Sequence, residues 1–289
     1  MSVEHGLWDE SIPDLVDSLC RRATVRRFDP DGNIPPEELR AIIDAGRKAP
    51  TSGTTQAYSF LWLRNPETRA RVHELCNRGS QQVEDASHFL LVCIDVRRNA
   101  RLLDHRGEAF HLPREMGLLE GAIDAALAAQ QTMVAAESRG YGVCPIGNIL
   151  NGIYEITEEL EIPEGVLPIF GLCIGIPRDQ PRENCPRVPL EAVLHEETYD
   201  DADEQLLEAC YDAMNQMYGD SVYGDDSREW HGTLARYWGP DGFMTRREAD
   251  FSATLDRQGF GTLDGVCDSN PSLGSRNESC SVSTSGDDS

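Results

Sequence analysis

The sequence predicts an α+β sandwich in which helices cover one central sheet, and three observations carry that expectation. Helix and strand signals alternate along the 289 residues, yet the strands are few. Four arginines suited to an anion (Arg21, Arg22, Arg26 and Arg27) come before any strand signal. No GxGxxG is present, whereas a doubly wound dinucleotide fold would place a glycine-rich turn directly after a strand.

The elements follow in order. Ser11-Ile12-Pro13-Asp14 reads as a capped helix start with proline in the first turn, and that helix runs to about Cys20. Asp31-Gly32 marks a turn. Pro35-Pro36-Glu37-Glu38 opens a second helix with Leu39, Ile42 and Ile43 at core-facing spacing. It ends near Lys48, because Pro50 disfavours helical geometry at Ala49. Tyr58 to Leu63 is a buried strand, Pro66 to about Asn77 a helix, and His88 to Val96 a strong strand. Residues 114–139 form the longest helix, whose alanines at i, i+3 and i+4 allow another helix to approach or simply favour helix formation. Gly140 and Gly142 stop it. Gly142 to Ile146 returns as a short strand, Ile153 to Leu160 is a helix, and Leu167 to Ile176 is a central strand. Residues 201–260 read as an appended helical excursion on a core of residues 1–200. From Gly261 to Ser289 there is no aromatic residue, and the Ser, Gly, Asp and Asn content predicts disorder.

Composition excludes several function classes. A net charge of −24 would be repelled by a phosphate backbone, so no nucleic-acid partner is expected. Lys48 is the single lysine among 26 basic residues. Arginine with an evenly spread acidic surface suits a cytosol very high in salt, as in an extreme halophile; genome-driven arginine bias is the alternative. The nine cysteines show no ligand spacing, so neither a disulfide framework nor a metal site is expected. The acidic N-terminus reads as no signal peptide, and no apolar run approaches membrane-spanning length. The expectation is a cytoplasmic protein without a membrane partner.

Four segments carry chemistry. In Arg22-Ala23-Thr24-Val25-Arg26-Arg27-Phe28, guanidinium groups and a hydroxyl suit a phosphate, or else a basic patch that pairs with local acids. In Ala49-Pro50-Thr51-Ser52-Gly53-Thr54-Thr55-Gln56, hydroxyls and glycine let backbone N–H groups approach a ligand. Gly140 to Asn148 passes from helix to strand and turns at Gly147, which permits backbone contact with a flat ring. Pro186-Arg187-Val188-Pro189 stiffens an arginine that is either a second phosphate anchor or a surface ion pair.

In order and spacing these segments resemble the nitroreductase family, most closely its NADPH-preferring, oxygen-insensitive nitroreductase and flavin reductase group. The resemblance runs from about residue 14 to residue 199 and is sharpest in VLPIFGLCIGIPRDQP, PRVP, HEETY and DAALAAQQTMVAAESRGYG. It implies an FMN-binding α/β sandwich around a central mixed sheet and an obligate homodimer in which both chains build each flavin site. Arg22, Ala23, Thr24, Val25 and Arg26 fall on the family's phosphate segment, and Thr51 and Ser52 on its hydroxyl loop. Gln81 falls on its flavin-contacting glutamine, and Pro145, Ile146, Gly147 and Asn148 on the strip along the isoalloxazine. Cys185 and Arg187 fall on its Lys-Pro-Arg clamp.

Departures bear on the chemistry. Arg22 stands for the usual histidine, Ala23 for an arginine, Cys185 for the clamp lysine, Asn148 for a glycine and Leu150 for an arginine. Arg228, Arg246 and Arg247 are candidates for the NADPH 2′-phosphate, in a region rich in aspartate. The resemblance implies hydride transfer from NADPH or NADH to FMN and on to a nitroaromatic, quinone or similar small acceptor. It needs no catalytic acid or base, so none is nominated; His195 beside Glu196 reads as structural. The alternatives are a flavin reductase that supplies a partner and a non-catalytic flavin-binding redox sensor.

Overall fold

The computed structural model describes residues 15–76, 79–179, 186–219 and 229–260. The expected helix cap at Ser11 and the tail from Gly261 fall outside them. Four strands, β1 (Tyr58–Leu63), β2 (His88–Asp95), β3 (Gly142–Ile146) and β4 (Val166–Gly175), make one sheet in the order β1-β2-β4-β3. Each strand lies within one residue of its expected bounds. All three pairings are antiparallel, which corrects the expectation of a mixed sheet. Each excursion between neighbouring strands returns to the end of the sheet it left: Leu63 lies opposite Phe89, Asp95 opposite Val166 and Ile146 opposite Gly171.

Strand β2 is buried at every position, because helices cover both faces of the sheet. Alternate residues therefore feed two cores. Leu90, Val92, Leu172 and Ile174 pack with Leu39 and Ile42 of α2 (Pro36–Gly46) and the alanines of α6 (Arg114–Ser138). Phe89, Leu91, Cys93 and Cys173 pack with Val72 of α3 (Pro66–Leu75), Val83 of α4 (Gln82–Asp85) and Ile156 of α7 (Ile153–Glu159). The α6 alanines face α2 and the sheet, so close approach is what they serve here. A bulge interrupts β2–β4, where the register shifts between Val92 and Cys93 and leaves Ile169 without a partner.

Sequence reading left residues 97–113 without an element, and they hold α5 (Arg97–His105), none of whose residues is buried. The short α1 (Leu15–Cys20) precedes the arginine segment. The C-terminal excursion is helical: α8 (Glu204–Gly219), α9 (Trp230–Trp238) and α10 (Phe243–Arg257). It returns to the body of the protein, because Phe260 is fully buried against Ala57, Ile94, Ile153 and Leu167.

Gly171 shows how tightly the sheet is covered. A Cβ there would stand 2.6 Å from the Phe89 ring and 3.2 Å from the Ile146 Cβ. Gly171→Ala is expected to lower stability by about 1–3 kcal/mol through overpacking, seen as a fall in the urea midpoint at unchanged m-value.

Candidate functional site

After α1 the arginine segment becomes an extra strip beside the sheet. The Val25 N–H donates to the Val143 carbonyl at 3.1 Å, the Asp29 N–H to Ile176 at 2.9 Å, and the Arg178 N–H to Arg27 at 3.0 Å. Val25 and Phe28 are buried and pin the backbone, whereas Arg26 and Arg27 are exposed. The close approach requires Gly142, whose Cβ would otherwise stand 2.7 Å from the Val25 side chain. Arg27 pairs with Asp179 at 2.9 Å, both well exposed. Arg22 gives its Nε to Glu137 of α6 at 2.9 Å. Burial pushes the Glu137 carboxyl up, and the Arg22 guanidinium pulls it back down. A cleft of about 850 Å³ opens at this segment, with Arg21, Arg22, Ala23, Glu137, Tyr141 and Arg178 in its lining.

Strand β3 leads from the arginine segment to the predicted ring strip. Pro145 and Gly147 are exposed and Ile146 is buried between them. Nothing lies within 4 Å of where a Cβ on Gly147 would be, so the backbone there presents an open face. From Gly142 to Ile146 the strand spans about 13 Å, a length on the scale of one flavin mononucleotide.

The GSQ segment meets the far end of that strip. Asn148 Nδ2 donates to Oγ of buried Ser80 at 3.1 Å. Arg69 of α3 donates to the carbonyls of Val83 (2.8 Å) and Glu84 (3.0 Å) and also to that of Ala86, holding the turn that carries Gln81. Gln81 itself is exposed, and its amide donates to Asp85 Oδ1 at 3.1 Å. Helix α10 reaches the same place: Arg247 Nε donates to Asn151 Oδ1 at 2.7 Å and its Nη2 to Asn148 Oδ1 at 3.4 Å. The structure therefore brings together Arg22 to Arg26, Pro145 to Asn148 and the segment bearing Gln81.

Thr51 and Ser52 lie elsewhere. Their loop is tied to Asp124 of α6, a fully buried carboxylate that accepts from the Ser52 N–H (2.9 Å), the Ala57 N–H (3.0 Å) and Thr55 Oγ1 (3.3 Å). Gly53, Thr54 and Gln56 have positive φ of 51°, 60° and 50°, and Asn99 and Arg98 of α5 hold the carbonyls of Thr55 and Gln56. Asp124 and Glu137 are separated by 13 residues along α6, about 20 Å. One chain thus carries the hydroxyl loop at the middle of its longest helix and the arginine segment at that helix's C-terminal end.

The remaining candidates are Cys185, Arg187 and His195. Cys185 lies outside the described residues. Arg187 is exposed, and its Nη1 donates to the Pro186 carbonyl at 2.9 Å. His195 accepts the Asp200 N–H at 3.4 Å and leans on Tyr199 with 4.4 Å between ring centroids. Burial pushes the Cys144 thiol up to about 11 and that of Cys76 to about 12, so both stay protonated and unreactive. Among the described residues no group of His, Cys, Asp and Glu could hold a metal ion, and no helix is long and apolar enough to cross a membrane. Sequence reading missed Asp124 and the Arg247 contacts. An aspartate inside an alanine-rich helix face was the available signal for the first; nothing local announced the second.

Comparison with known proteins matches residues 19–176 to the nitroreductase family and residues 185–262 to the nitroreductase family C-terminal domain. An FMN reductase (NADPH) of Bacillus subtilis is 32% identical over 230 residues, covering 78% of this chain and 91% of that protein. An oxygen-insensitive NADPH nitroreductase of Salmonella typhimurium is 36% identical over 203 residues, covering 70% and 81%. Among solved structures, the hypothetical oxidoreductase YcnD of Bacillus subtilis superposes with a TM-score of 0.78 at 30% identity, covering 87% of this chain and 99% of that one.

Proposed function

The chain belongs to the nitroreductase family, and from that premise we propose that it is an FMN-dependent NAD(P)H oxidoreductase acting on nitroaromatics, quinones or similar small acceptors. The observation that carries this reading is the open backbone face at Gly147, one strand length from an arginine segment in a protein of net charge −24. Lacking side-chain bulk, such a face fits a flat ring, and the arginines fit its phosphate.

In this reading Arg22, Thr24 and Arg26 hold the phosphate, with the backbone of Ala23 and Val25 beside them and Arg187 as a second anchor. Pro145, Ile146, Gly147 and Asn148 line the ring, and the Gln81 amide addresses its polar edge. FMN, when bound, supplies the hydride chemistry; the protein supplies binding, orientation and electrostatics. No side chain is assigned a proton-transfer role, because protons can come from water. NADPH or NADH serves as the donor, and Arg246 stays a candidate for a 2′-phosphate, its guanidinium 4.8 Å over the Phe243 ring.

A homodimer completes the site. The loop of Thr51 and Ser52 is anchored on α6 about 20 Å along the helix from the Glu137 that holds Arg22 of the same chain, so it serves the flavin of a second copy. Met116, Leu119, Ile123 and Leu127 are exposed along one face of α6 and form the surface for that copy. Ile123→Asp is expected to shift the protein to monomer in size-exclusion chromatography and to release FMN at the same time. A monomeric variant that retained FMN would rule out a shared site. The division into a core to residue 200, an excursion over 201–260 and an acidic tail belongs to the same proposal, as does a cytoplasm of high salt.

Anaerobic spectroscopy tests the whole reading: the protein is purified in high salt, the 450 nm flavin band recorded, and NADPH or NADH added. Bleaching by either donor, with turnover of a nitro or quinone acceptor, is expected. Absence of a flavin band even after FMN addition would sink the proposal. A second reading, release of reduced flavin to another protein, is favoured by the FMN reductase among the relatives. It predicts rapid loss of FMN on dilution and turnover of added free flavin.

A further inference from the structure

Arg247 is the cation that meets the ring strip from the C-terminal excursion, and its bonding partners are unusual. Its Nε and Nη2 donate to the side-chain oxygens of Asn151 and Asn148, so among the described residues its hydrogen bonds bring no counter-charge. The guanidinium is half-buried, and it lies 5.6 Å over the Phe243 ring. Burial draws its pKa down, but an arginine remains charged near neutrality. A partly desolvated cation held by neutral amides keeps more of its field than one neutralised by a carboxylate. Asn148 passes that restraint on to Ser80, so α10, the strip and the GSQ segment form one bonded wall.

We propose that Arg247 is a positioning residue that braces the ring strip and places there a positive charge favouring reduced, anionic FMN over the oxidised form. This rests on the assignment of Pro145 to Asn148 as the ring strip. It also removes Arg247 from the arginines available to a nicotinamide 2′-phosphate, because its guanidinium is turned to the strip. Asn148, where the resemblance implies a glycine, gives the Arg247 guanidinium a second bond.

The test is an anaerobic redox titration of FMN-loaded wild type, Arg247→Gln and Arg247→Lys, with thermal melting of each to confirm folding. Arg247→Gln is expected to reduce the affinity for reduced relative to oxidised flavin about tenfold, a two-electron potential about 30 mV more negative. Arg247→Lys keeps the charge and is expected to stay within threefold of wild type. Equal potentials in wild type and Arg247→Gln overturn the proposal, as does a lysine variant as negative as the glutamine one. Should Arg247→Gln not fold, Asn148→Gly loosens the guanidinium without removing it. A shift of the same sign supports the proposal, and no shift overturns it. A wild type that takes up no FMN refutes the assignment of the ring strip instead, so the two failures are distinguishable.

Discussion

Arg26→Ala is expected to weaken FMN retention about a hundredfold, and Arg27→Ala less than threefold. The two side chains are adjacent and both exposed, yet the backbone sends them to different places. Val25 is bonded to Val143, and Phe28 is buried and bridged to Pro177, which fixes the backbone on both sides of the two arginines. Arg27 goes to Asp179, an exposed pair worth at most about 1 kcal/mol. Arg26 lies close enough to Cys144 to oppose the effect of burial on its thiol, and Cys144 directly precedes the ring strip. Two charge-assisted hydrogen bonds to a phosphate, each about 1.5–3 kcal/mol, account for a hundredfold loss or more. Flavin fluorescence after ultrafiltration measures it. Equal retention by Arg26→Ala and wild type would place the phosphate elsewhere.

How far the fold was legible follows from how local its signals are. The strands His88–Asp95 and Val166–Gly175 announced themselves as unbroken apolar runs, because helices cover both faces of the sheet. Helix α5 was hidden, since RRNARLLDH buries nothing and so leaves no apolar period to read. Strand direction was not legible: a mixed and an antiparallel sheet differ in where the connections return, not in the strands themselves. The candidate site divides in the same way. Gly147 and the arginine segment could be singled out from residue type, but their meeting along β3 depends on contacts between distant residues, such as the Val25–Val143 hydrogen bond and the close approach of Val25 to Gly142. That the hydroxyl loop stands far from them could not be read, because its distance is set by which turn of α6 carries Asp124. The Arg247 contacts join residues 96 and 99 apart in sequence, beyond the reach of any local pattern.

Asp124→Ala is expected to be the most damaging single change to stability, by about 3–5 kcal/mol. The carboxylate is fully buried and sits where the alanine face of α6 would otherwise be apolar, so only its three bonds justify its presence. Truncation removes the acceptor for the half-buried Ser52 N–H and for the buried Ala57 N–H, and a buried donor left unpaired costs about 1–3 kcal/mol. The loop above it cannot relax cheaply, because Thr54 and Gln56 already hold left-handed backbone conformations that non-glycine residues avoid. For a chain of this size such a loss lowers Tm by about 5–10 °C. Asp124→Asn keeps one acceptor oxygen and the volume, and is expected to lose about half as much. A functional consequence separates this role from packing alone. If Thr51 and Ser52 close over the flavin of a second copy, Asp124→Asn, folded and dimeric at room temperature, releases FMN several-fold faster while the arginine segment is intact. Calorimetry and flavin fluorescence read the two effects separately. A melting point within 2 °C of wild type for Asp124→Ala would show that the loop holds its shape without the carboxylate.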